Sequence, residues 1–108
     1  MILHVDEADI SLVTASQNAI VLGIITGDGG VRLRPADAYH VPGHVEWLAR
    51  TPIDDVARGF AVLVREGRVS AIFPRSRLNP GPDARLEQEL VEQLKLLLPM
   101  NEDVRTLE

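Results

Sequence analysis

Two histidines four residues apart, His40 and His44, stand in the segment Asp37-Ala38-Tyr39-His40-Val41-Pro42-Gly43-His44-Val45-Glu46-Trp47, with Asp37 and Glu46 near them. This is the densest gathering of side chains able to ligate a metal or move a proton. On an unbroken helix such a pair shares one face and can bind a single zinc, with a carboxylate as third ligand. Here Pro42 and Gly43 fall between the two, so His40 precedes any helix that Pro42 opens, and the shared face is lost. Glu46 also lacks the residue order of a metalloprotease helix. The two histidines therefore read first as loop and cap residues, and no metal or other cofactor is expected. The segment becomes the site of a small hydrolase or ligand-binding enzyme only if it converges on a concave pocket.

The second candidate is cationic. Arg65 and Arg68 flank a tight turn, and Arg75 and Arg77 follow in the next loop. Arginine's planar fork suits carboxylates and phosphates, so these four are the candidate anion-binding set. The segment 51–82 carries five basic residues against three acidic ones, while the chain as a whole has a formal charge of −5. That acidic total disfavours nucleic acid and anionic membrane as partners. Tyr39, Trp47, Phe60 and Phe73 are all the aromatic residues present, and both Phe are needed for a core, so no base-stacking platform emerges.

Other constellations are weaker. His4 near Asp6 and Asp9 has no nucleophile placed beside it. Ser11, Ser16, Ser70 and Ser76 lack the glycine elbow of an acyl-transfer serine. Asp54-Asp55 is better explained by Asp54 facing the free amides of a helix start. Cysteine is absent, which removes disulfides, thiolate nucleophiles and cysteine-ligated zinc.

The elements that must position these side chains centre on residues 58–74. A two-residue Glu66-Gly67 loop predicts a hairpin with Val64 opposite Val69, Val62 opposite Ala71 and Phe60 opposite Phe73, which makes one face wholly apolar. The other face then carries Ala61, Leu63, Ser70, Ile72, Arg65 and Arg68. A second hairpin is predicted around Asp28-Gly29, with Thr26 facing Val31 and Ile24 facing Leu33. Residues 10–14 read as a strand from their β-branched content, against a short helix capped by Asp6 or Asp9. Short helices are expected over 42–50 and from Thr51 to a stop at Gly59. Pro82 opens the longest helix, with Leu86, Leu90, Leu94 and Leu97 or Leu98 as its apolar stripe, and Pro99 closes it.

The expected fold is α+β: an antiparallel sheet of four to six strands built from two hairpins, with two short helices and one longer C-terminal helix packed on it. Residues 1–100 form one domain, and 101–108 are a polar, frayed tail in which Leu107-Glu108 has the look of a cloning remnant. Apolar residues make up 45% of the 108 and charged residues 25%, the balance of an ordinary globular domain able to bury a core. No apolar run approaches the ~20 residues that span a bilayer, and no signal peptide is legible. A cytoplasmic protein is therefore expected. The function expected is a non-enzymatic binding or assembly module, with an unidentified protein partner or a second copy. A homodimer is expected through this second, partly apolar sheet face, with Ala61, Leu63, Ile72 and Arg65 at its interface.

Overall fold

The computed structural model describes residues 2–36, 56–76, 79, 81 and 83–107. The chain runs β1 (His4–Val5), α1 (Glu7–Ala15), β2 (Asn18–Thr26), β3 (Gly30–Pro35), β4 (Val56–Arg65), β5 (Arg68–Phe73), α2 (Ala84–Leu97) and β6 (Met100–Thr106). Six strands form one sheet in the order β1-β3-β2-β4-β5-β6. The fold is α+β, but the sheet is mixed rather than purely antiparallel. β1 lies parallel to β3 and β6 parallel to β5, so both edges are parallel around an antiparallel centre. The short helix expected over 42–50 lies outside the described residues. The one expected to reach Gly59 is corrected at its end, since residues 56–59 open β4.

The two described helices share one sheet face. Val13 of α1 and Leu90, Val91 and Leu94 of α2 join Val21, Ile25, Phe60, Val62, Val64, Val69 and Ile72 in one buried cluster. Phe60 lies over Gly23, its cross-strand partner, so closely that a Cβ on Gly23 would stand 2.2 Å from the ring. α2 has the predicted apolar stripe but is shifted outward at its start. Asp83 caps it by accepting from the amides of Arg85 and Leu86, and Leu86 remains 43% exposed.

Residues 7–15 are helical, which corrects the strand reading of 10–14. The amides of Asp9 and Ile10 both donate to the Asp6 carbonyl, and Glu7 and Asp9 in the first turn favour the helix dipole. Burial of Val13 against the sheet outweighs the few tenths of a kcal/mol by which β-branched residues disfavour helix.

The central turn forms as predicted, with Glu66 at φ 52° and Gly67 at φ 76° between paired Arg65 and Arg68. It docks on the end of α1, where Glu66 N donates to the Gln17 carbonyl and Gly67 N to that of Ser16. Beyond Val64↔Val69, however, a bulge leaves Ser70 unpaired and shifts the register to Leu63↔Ala71, Val62↔Ile72 and Ala61↔Phe73. Ile72, expected on the outer face, is fully buried in the core, and Ala71 and Phe73 take the outer side.

The β2–β3 hairpin is offset by one residue from the expected register along its whole ladder, pairing Ile25 with Val31 and Ile24 with Arg32. Its loop replaces ladder bonds with side-chain ones. Gly30 N donates to both Thr26 Oγ1 and Asp28 Oδ1, and the Thr26 hydroxyl donates to Asp28. The expected frayed tail is corrected too: residues 100–106 form β6, delivered to the edge of β5 by α2 as a parallel crossover. Val69 N donates to Pro99 O and Leu107 N to Ile72 O, which ties both ends of β6 to β5.

Candidate functional site

His40, His44, Asp37, Glu46, Tyr39, Trp47 and Arg77 lie outside the described residues. Among the described residues no group of three potential ligand side chains is arranged to hold a metal ion. No described helix is long and apolar enough to cross a membrane.

The arginines expected as one set are divided by the sheet. Strand alternation puts Arg65 on the same face as Leu63, opposite the helices, and its cross-strand partner Arg68 lies beside it. The same rule brings Arg32 and Arg34 of β3 to that outer face, because they pair with Ile24 and Leu22. Arg75 stands elsewhere. Its Nε donates to Glu87 Oε1 at 3.1 Å, joining the loop after β5 to the first turn of α2. With the arginine side chain 48% exposed, that pair is worth no more than about 1 kcal/mol.

The loop after β5 is held by Asn79. Its Oδ1 accepts from Gly59 N at 2.7 Å, and its Nδ2 donates to Gly59 O at 3.1 Å and Pro74 O at 3.0 Å. The Asn79 amide thus continues the ladder where β5 has ended, satisfying both backbone groups of Gly59. A cavity of about 260 Å3 lies beside it, lined by Arg75, Ser76, Asn79, Gly81 and Glu87. Its polar capacity is largely committed, since the Asn79 amide serves the backbone and the Arg75 and Glu87 charges offset each other.

Gly59 is preceded by the residue that sequence reasoning passed over. Arg58 pairs with Ile25 and, by alternation with Phe60 and Val62, belongs to the core side of β4. Its Nε and Nη2 are buried and have no hydrogen-bond partner. Dehydrating a cation without a partner costs several kcal/mol, and a guanidinium cannot escape by losing its proton. A register shift between Ile25 and Thr26 falls directly beside it. The signal available in the sequence was an arginine two residues before Phe60, in phase with the apolar face of the central strand. It carries little weight in the sequence because Arg58 falls where the helix expected to stop at Gly59 overlaps the hairpin read over 58–74. Ser70 Oγ, on the bulge residue, is likewise buried without a partner.

The third cluster, at the β2–β3 loop, gathers Thr26, Asp28 and His4. The Thr26 hydroxyl, then the Gly30 amide, with the nearby His4 as a smaller influence, hold the Asp28 carboxyl below its ordinary value of 3.8. A carboxylate so stabilised is a poor general base, and the threonine hydroxyl donates to it rather than to a histidine. The arrangement braces a turn. Asp9, the other residue considered with His4, accepts from Leu33 N at 3.1 Å and so ties α1 to β3.

On the outer sheet face Leu22, Ile24 and Ala71 are buried, yet none of them belongs to the cluster shared with the helices. Ala61, Leu63 and Phe73 are half-buried. Ile20, the cross-strand partner of Leu63, is 38% exposed. The face thus has an apolar centre open toward the hairpin end and arginines at its corners. Comparison of the chain with protein-family models, with curated proteins and with solved structures finds no match in any of the three.

Proposed function

We propose that the protein is a non-enzymatic binding and assembly module that pairs with a second copy through the hairpin end of its outer sheet face. The observation that carries this reading is the cross-strand pair Ile20 and Leu63, which remains partly open on the side of the sheet away from both described helices. Ala61 extends the apolar centre. Arg65 and Glu66, adjacent at the turn, exposed and opposite in charge, form a rim able to pair with itself about a two-fold axis. Ile72, placed in the core, takes no part.

Two such side chains from each copy contribute at most about 6–12 kcal/mol of apolar burial. Association itself costs about 4–15 kcal/mol. Even the most favourable difference, about 8 kcal/mol, is only that of a micromolar complex, so the contact is weak and depends on concentration. Light scattering coupled to size exclusion tests this. The reading expects a mass approaching twice 11.9 kDa at tens of micromolar, and Leu63→Asp or Ile20→Asp returning the protein to the monomer mass while it still unfolds cooperatively. A monomer mass for the native chain overturns the assembly reading, and a dimer that survives both substitutions overturns the choice of surface.

A further inference from the structure

Arg58 is the guanidinium, among the described residues, whose buried nitrogens lack an acceptor. The two atoms concerned are informative. Nε and Nη2 lie on the same edge of the guanidinium plane, and their parallel N–H bonds form the fork that meets two oxygens of a carboxylate or phosphate at once. Each exposes less than 1 Å2, so bulk solvent does not reach it.

The backbone around Arg58 is held from two sides. Next in the chain, both backbone groups of Gly59 are bonded to the Asn79 amide, at 2.7 and 3.1 Å. Across the ladder, the register shift between Ile25 and Thr26 falls beside its partner Ile25, and such irregularities commonly re-aim a side chain near a site. The other arginines singled out from the sequence are differently committed. Arg75 is paired with Glu87, and Arg65 and Arg68 are exposed at the opposite end of β4.

We propose that Arg58 anchors a binding site for a small oxyanion, a carboxylate or a phosphate group, gripped by Nε and Nη2 together. This site is separate from the outer-face contact and does not depend on it. Its occupant neutralises a dehydrated charge, so binding is linked directly to folding stability. Entry displaces the atoms that now cover the fork.

The test is thermal unfolding of the native chain in inorganic phosphate, acetate or chloride at matched ionic strength, alongside Arg58→Met and Arg58→Lys. The proposal expects phosphate or acetate to raise the native midpoint saturably by several degrees over chloride. Arg58→Met should show only the non-saturating rise that excluded salts give any protein. Arg58→Lys keeps the charge but not the fork, so its apparent Kd should rise at least tenfold. Should Arg58→Met not fold, the lysine variant and titration of the native chain by calorimetry carry the same comparison. Equal responses in the native and variant proteins, or none in the native protein, overturn the proposal. So does a native chain insensitive to both anions in which Asp54→Asn or Asp55→Asn lowers the midpoint, because the acceptor would then be a carboxylate of the chain itself.

Discussion

The two faces of the sheet are built from the same strands and nearly the same residue types, yet they have opposite fates. On the inner face Val21, Ile25, Phe60, Val62, Val64, Val69 and Ile72 meet two helices and disappear from solvent. On the outer face Leu22 and Ile24 are buried, Leu63 and Ile20 remain partly open, and Arg32, Arg34, Arg65 and Arg68 stand around them. Large apolar residues occur on both. What separates them is register, because a slip of one residue exchanges every side chain between faces. The Ser70 bulge performs such an exchange beyond Val69, sending Ile72 inward and Ala71 outward.

The largest expected contrast comes from truncating one side chain on each face. Phe60→Ala removes a fully buried ring that covers Gly23 and should destabilise the protein by about 3–5 kcal/mol. Leu63→Ala, on a half-buried outer position, should cost less than half as much. Urea unfolding of both variants measures the difference, and equal losses would mean that the outer face is as completely packed as the inner one.

Asn79→Ala should come next. It strips the acceptor from Gly59 N and the donor from Gly59 O and Pro74 O, at an expected cost of about 1–3 kcal/mol. Amide exchange at Gly59 should accelerate more than exchange at Val62, whose position lies within the β4–β5 ladder. Uniform acceleration along β4 would show that Asn79 acts on global stability rather than as a local clamp.

The smallest effect is electrostatic and lies in the β2–β3 loop. The carboxyl of Asp28 titrates below 3.8 in the folded protein, so its stabilising contribution is complete above that value and is lost as the pH falls through the folded pKa. Asp28→Asn should therefore lower stability slightly at pH 7 and flatten the decline of stability below pH 4. A carbon-detected NMR titration locates the Asp28 transition directly, and a transition at or above 3.8 would remove the basis for this expectation.

Short-range chemistry was readable from the residues alone. The Glu66-Gly67 turn formed as expected because positive φ at both positions is a local demand that glycine and a tolerant neighbour meet. α2 is legible for a similar reason, since its leucines recur at helical spacing between Pro82 and Pro99. Both hairpins are legible as hairpins for the same local reason.

What only the tertiary structure decided is long-range pairing. Met100–Thr106 is too polar to announce a strand, and it becomes β6 because α2 sets it beside the open edge of β5. α1 was misread because burial of Val13 under the sheet overrides the weak strand preference of its β-branched residues. Arg58 was invisible as a candidate for the same reason. Its place on the core side is settled only when β4 takes residues 56–59 from the helix expected to stop at Gly59, since the direction of a side chain follows the period of the element that carries it. Turns and caps are settled within a few residues, whereas register, edges and the burial of a charge depend on segments tens of residues away.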